Sequence, residues 1–205
     1  MKVAVVGGTG DFGLALVRRL AEAGDQVVVG SRDPERAQAK AGEAGASGGA
    51  ANADAVRGVD LVVLAVKAEA ALPTARELAE AIGETPVLSV ASELRFERAG
   101  VHPTAEDRSV AERVQDLLRA PVSAGLHSLA AASLGGGRSE GDALVCGDDA
   151  LAKGLALELA AKVVTGRALD AGPLACARAL EGMTAVIVNL NRRYKGHAGV
   201  RIVGL

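Results

Sequence analysis

Residues 3–13, VAVVGGTGDFG, set an unbroken run of small branched apolar residues directly against a glycine-rich turn. The run Lys2–Gly7 shows no polar alternation, which reads as a strand covered on both faces, as in a parallel sheet. From Phe12 the period changes. Leu14, Val17 and Leu20 fall on one face of a helix running to Ala23, and Gly24-Asp25 ends it. Between strand and helix lies Gly8-Thr9-Gly10-Asp11-Phe12-Gly13, a complete G-x-G-x-x-G. Such a string is weak alone, but after a strand and at the opening of a helix it points to dinucleotide binding. Gly8 is expected to permit the tight turn, Gly10 to let a pyrophosphate approach the backbone, and Gly13 to pack helix on strand. The helix N-terminus would turn free N–H groups toward the phosphates. The competing reading is a glycine-rich turn without a ligand.

Outward from this unit the pattern repeats. A second strand, Gln26–Gly30, leads to a helix opening at Pro34, a residue favoured at a first helical position. The Ala- and Gly-rich stretch 41–55 gives no clear third strand, although Asn52 or Asp54 would cap a short helix. A fourth strand is expected at Leu61–Val66, a helix at Ala68–Ile82 and a fifth strand from Pro86. Strands alternating with helices require crossover connections, so the chain reads as a Rossmann-type, doubly wound parallel sheet. Arg95–Asp107 is polar without a period. A helix at Ser109–Leu118 and strands at Pro121–Gly125 and Ala143–Gly147 follow. Two helical segments, Asp149–Lys162 and Pro173–Lys195, close the chain. This predicts a nucleotide-binding domain over 1–147 and a small, mainly helical portion over 148–205 that completes a second-substrate pocket.

The end of the second strand reads Gly30-Ser31-Arg32-Asp33-Pro34-Glu35-Arg36. A site for NAD usually offers a carboxylate here to the ribose 2′-hydroxyl. A carboxylate would repel a 2′-phosphate, whereas a hydroxyl beside a guanidinium suits one. Ser31, Arg32 and Arg36 are therefore candidate contacts for NADP(H), with Asp33 pairing with an arginine or capping the helix at Pro34.

Composition narrows the partners. The chain has 205 residues, a net charge of −2 and three aromatic residues, Phe12, Phe96 and Tyr194. No general positive field or base-stacking platform favours nucleic acid. The longest apolar runs are far too short to span a bilayer, and no signal-peptide pattern follows Lys2. A soluble, cytoplasmic protein is expected. Cys146 and Cys176 lack metal-site or C-x-x-C spacing, so two free thiols and no metal are expected.

The second half carries no nucleophile motif. Lys67 follows the fourth strand at the sheet edge where ligands bind in this fold, either as proton donor or anion contact, or simply as a lysine at a helix start. His127, after a buried strand, reads equally as a contact to a bound ring or as a packed neutral imidazole. Arg178, Glu181 and Thr184 form a polar stripe in which Arg178 and Glu181 could be a surface pair. Thr184–Leu190 is apolar nearly all round, which suggests burial or a subunit interface.

The segments KVAVVGGTGDFGLALVRRLAEAGDQVVVGSRDPERA, LVVLAV, SAGLHSLAA, LVCGDD and LDAGPLACARALEGMTAVIVNLNRR, in that order, resemble the NADP-dependent deazaflavin reductases, the coenzyme F420:NADP oxidoreductase family. The resemblance implies direct hydride transfer between the nicotinamide and the deazaflavin. It implies NADP contacts from Thr9, Ser31, Arg32 and Arg36; the glycine motif and the end of the fourth strand add Gly8, Gly10, Asp11, Phe12, Gly13, Ala65, Val66 and Lys67 as candidates around the same cofactor. His127, Arg178 and Thr184 match positions around the deazaflavin, with His127 as a ring-orienting group and no catalytic acid–base residue. A homodimer is expected. The chain departs from the family on the deazaflavin side: Gly182 stands where serine is frequent, Lys67-Ala68 replaces a proline-containing pair, and SVASELRF replaces a proline-containing run. Two other readings remain: an NADPH-dependent reductase of a small imine or carbonyl compound, because LAVK also resembles imine and pyrroline-carboxylate reductases, and a non-catalytic NADP(H) sensor.

Overall fold

The computed structural model describes all 205 residues. Its eight-stranded sheet is built from β1 (Lys2–Val6), β2 (Gln26–Ser31), β3 (Gly48–Ala51), β4 (Leu61–Leu64), β5 (Val87–Ser89), β8 (Val122–Gly125), β9 (Ala143–Gly147) and β10 (Ala168–Asp170), with β6 (Leu94–Glu97) and β7 (Gly100–Pro103) forming a separate hairpin. The spatial order is β10-β9-β8-β5-β4-β1-β2-β3. All neighbours are parallel except β8 and β9. The chain starts in the interior at β1, moves one way to β2 and β3, then returns to β4 on the other side. That reversal leaves a crevice at the C-terminal ends of β1 and β4, where ligands bind in open α/β sheets.

Alternation along β1 feeds two separate cores. Val3 and Val5 pack beneath α1 (Asp11–Glu22), α2 (Pro34–Ala44), α6 (Ala131–Gly136) and α7 (Ala150–Val163). Ala4 and Val6 pack on the other face with α4 (Ala68–Ile82), α5 (Val110–Gln115) and the start of α8 (Ala177–Tyr194), beside the short α3 (Asn52–Ala55). The two cores hold 24 and 23 buried residues, so the sheet is covered about equally on both sides, which is why its strands read as continuous apolar runs. No helix is long and apolar enough to cross a membrane.

Besides α6, which the sequence pattern does not place, three regions differ from the sequence expectation. The Ala- and Gly-rich stretch does contain a strand, β3, paired in parallel with β2. It lacks β-branched residues because α2 lies against it: a side chain at Gly49 would run into the backbone of Ala37. The polar stretch after β5 folds into the β6–β7 hairpin, which Asn189 of α8 clamps by accepting from the Val101 N–H (2.8 Å) and donating to the Val101 carbonyl (2.6 Å). The link between the last two helical segments contains β10, which joins the sheet beside β9. Residues 150–170 thus extend the sheet as a helix and strand; α8 and the hairpin are what stand at its edge.

Candidate active site

At the sheet's C-terminal edge a cleft of about 1020 Å³ is floored by the turn after β1 and walled by the ends of β2 and β4. The turn is organised differently from the motif assignment. Gly7 takes the left-handed conformation (φ 82°) that a side chain disfavours, whereas Gly8 is buried, and a Cβ there would lie 2.8 Å from the Val5 carbonyl oxygen. The tight turn therefore belongs to Gly7, and Gly8 is a packing position. Gly13 packs as expected, and the Gly10 backbone is exposed. A Cβ at Gly10 would have only the Gly7 oxygen nearby, at 3.4 Å, so the backbone is open to the cleft; one at Gly13 would strike that oxygen at 2.5 Å, so α1 sits directly on the turn.

Thr9, Ser31, Arg32 and Arg36 all line this cleft. Asp33 is the N-cap of α2, its Oδ1 accepting the Arg36 N–H at 3.0 Å, so its carboxylate is engaged by the helix end. The Ser31 hydroxyl oxygen accepts the Asp33 N–H at 3.2 Å and keeps its own proton to donate. Asn52, which the sequence offered as a cap, is instead the first residue of α3, is 9% exposed and lines the same cleft.

A second cleft of about 370 Å³ adjoins the first. Gly10, Ala65, Val66 and Lys67 line both, while Asp11, Phe12 and Gly13 face the second alone. Its far wall is apolar, with Val90, Leu94, Phe96, Leu126, Leu129 and Val188. His127 and Thr184 are its polar points, with Ser92 between them in the wall. The Thr184 hydroxyl donates to the His127 carbonyl at 2.9 Å and, having one proton, accepts from the Ser92 hydroxyl at 2.8 Å. The His127 ring is held by Nε2, 3.3 Å from the Ala91 carbonyl, and burial pushes its pKa down to about 4, against a smaller upward pull from that carbonyl. The imidazole is neutral at pH 7, so Nε2 carries the proton and Nδ1 is an acceptor without a protein partner. Leu126, just before it, is buried in the left-handed region (φ 66°), an unfavourable backbone for a branched side chain that turns the chain sharply from β8 into this wall. No signal in the sequence marked that turn.

Arg178 is not in the wall. Its guanidinium donates to the carbonyls of Thr104 (2.7 Å) and Glu106 (2.9 Å), tying α8 to the loop after the hairpin. The expected surface pairing with Glu181 is absent: Glu181 is 1% exposed and its Oε1 accepts the Val110 N–H at 2.7 Å. Burial drives this carboxyl up to about 7, against the pull of the Val110 and Ala111 N–H groups and of Arg178 and Arg113. Position 182 does not face the cleft either; a side chain there would meet Pro103 of β7 at 3.6 Å.

A family model for coenzyme F420-dependent NADP oxidoreductases matches residues 2–93. Over all of this chain and 99% of its own length, the F420-dependent NADP reductase of Methanocaldococcus jannaschii is 34% identical. The chain belongs to the F420-dependent NADP reductase family. A crystal structure from Arthrobacter sp. FB24, proposed to be such a reductase, superposes with a TM-score of 0.84 at 25% identity over the whole of both chains. A pyrroline-5-carboxylate reductase from Coxiella burnetii reaches 0.66 at 15% identity, covering 95% of this chain and 65% of its own, and shares the fold. The larger cleft fits the family's nucleotide: it has two arginines at its rim, an open glycine backbone at a helix N-terminus and a buried amide oxygen, Asn52 Oδ1, without a protein partner.

Proposed function

We infer that the protein transfers a hydride directly between NADP(H) and coenzyme F420. The observation that carries this reading is the shared wall, Gly10 with Ala65–Lys67, at which a polar cleft with arginines meets an apolar one. When bound, the nicotinamide and the deazaflavin supply the redox chemistry, and the chain's work is to hold and shield them. Arg32, Arg36 and the Ser31 hydroxyl take the 2′-phosphate, while the N-terminus of α1 and the Gly10 backbone take the pyrophosphate. Phe12, Leu126, Leu129 and Val188 exclude water from the reacting faces. His127 stays neutral and orients the ring as part of the cleft wall, and Thr184 keeps the His127 backbone in place. Arg178 supports the site through the loop it binds.

The protein acts in the cytoplasm on small-molecule cofactors, without nucleic acid, as a homodimer. Val186 (57% exposed), Leu190 and Tyr194 (72% exposed) recur every fourth residue on α8 and give it an exposed apolar stripe separate from the Thr184–Val188 stripe that faces the cleft. Light scattering reporting a monomer at micromolar concentration overturns the dimer. The activity itself is tested by mixing purified protein with NADPH and oxidised F420: loss of the deazaflavin absorbance that requires both is the expected result. No loss, with NADPH binding established separately, refutes the hydride partner.

A further inference from the structure

Asn52 stands out among the groups in the larger cleft. It follows β3 at the edge of the cleft, on the side of Ser31 and Arg32 and away from the second cleft, whose wall it does not share. The side chain does not cap α3, and its Oδ1 is buried without a hydrogen-bond partner. The backbone makes room for it. A Cβ on Gly30 would come within 3.0 Å of Asn52 Oδ1, so the bare end of β2 is what lets the amide lie over the strand. The unpaired oxygen, packed against Gly30, costs free energy, while the Asn52 side chain as a whole lines the cleft, where a ligand can complete the bonding of its amide.

Resting on the reading of this cleft as the NADP(H) site, we propose that Asn52 is a further cofactor-binding and specificity-determining residue, its amide recognising the adenosine ribose that carries the 2′-phosphate. The chemistry fits the position. A carboxyamide both donates and accepts, and the 2′-phosphorylated ribose offers phosphate oxygens that accept and a 3′-hydroxyl that donates. Asn is also neutral, so beside Arg32 and Arg36 it adds hydrogen bonds without the repulsion that a carboxylate would bring to the phosphate. The two arginines supply charge; Asn52 supplies shape and direction.

The test uses adenosine 2′,5′-bisphosphate, which holds the adenosine half of the cofactor and no nicotinamide, with calorimetry on the full chain. Asn52→Ala is expected to weaken its binding about tenfold, the scale of one hydrogen bond in a site shielded from water. Asn52→Asp, nearly the same in shape, is expected to lower NADPH affinity more than NADH affinity and so to narrow the preference between them. Thermal unfolding of both variants checks that they fold. Unchanged bisphosphate affinity in a folded Asn52→Ala variant overturns the role of Asn52 while leaving the cleft assignment intact. An Asn52→Asp variant that weakens both nucleotides equally also overturns the specificity role. Failure of the unsubstituted protein to bind the bisphosphate overturns the NADP(H) reading and this assignment with it.

Discussion

Thr184 and His127 are joined through a single proton: the threonine hydroxyl donates to the His127 carbonyl across 2.9 Å and is left only lone pairs for Ser92. Three elements, the segment after β5, the turn after β8 and helix α8, are thereby locked around the second cleft. Thr184→Val keeps the volume and removes the bonds. It is expected to cost about 1–3 kcal/mol in urea denaturation, because a buried carbonyl and a hydroxyl lose their partner. F420 binding is expected to weaken while NADPH binding holds, and Thr184→Ser should restore both properties. Equal loss of the two ligands would count against the separation of the clefts.

Arg32 and Arg36 reach the larger cleft from the end of β2 and the first turn of α2. Arg32→Ala is expected to weaken NADPH at least tenfold more than NADH, since a charge-assisted bond to the 2′-phosphate has no counterpart in NADH. Fluorescence titration with both nucleotides measures the ratio. A variant that loses both to the same degree shows a general electrostatic role instead.

Arg178 holds two loop carbonyls and does not line the cleft. Arg178→Ala should therefore raise amide hydrogen exchange around Thr104–Glu106 and weaken F420 through the loosened loop. Arg178→Lys should rescue little, because one ammonium cannot reproduce the fork of donors. Unaltered exchange in that loop together with lost F420 binding would point to direct contact with the substrate.

Glu181 sets a pH dependence of stability. Its carboxyl titrates near 7 in the folded chain, above its ordinary value of 4.5, because burial penalises the anion. The folded state thus holds a proton that the unfolded state releases, so this contribution is full below about 4.5 and is lost as pH rises through about 7. The loss is of the order of 3 kcal/mol. Glu181→Gln removes the titration. Its stability should fall less than that of the parent between pH 5 and pH 8, with Val110 N–H still able to bond the amide oxygen. Parallel pH profiles for the two would refute the assignment.

Much of the framework was legible because period and punctuation agreed. β1, β2, β4, α2 and α4 lie within a residue or two of where the apolar runs, Pro34 and the 3.6-residue period put them. What was hidden has a common cause: tertiary contact replaced local propensity. β3 carries glycine because α2 presses on it, β10 is a short pairing visible only beside β9, and the hairpin depends on Asn189 from a distant helix. That Ser31, Arg32 and Arg36 would stand together was readable because they follow one another at the end of β2 and the first turn of α2, and they line one cleft. The turn at Gly7, the left-handed Leu126 and the inward course of Glu181 were not readable, since each follows from backbone geometry or packing that no short pattern encodes.

The wall formed by Gly10, Ala65, Val66 and Lys67 belongs to two clefts at once. On the proposed assignment of the clefts, a substitution there edits two substrate specificities with one change, so improving the fit for one ligand risks spoiling it for the other. Independent tuning is open only at residues with a single allegiance, such as Arg32 on one side and Thr184 on the other. Divergence toward new hydride acceptors would then be expected to spare the partition and accumulate on the outer wall of the apolar cleft, in the hairpin and α8.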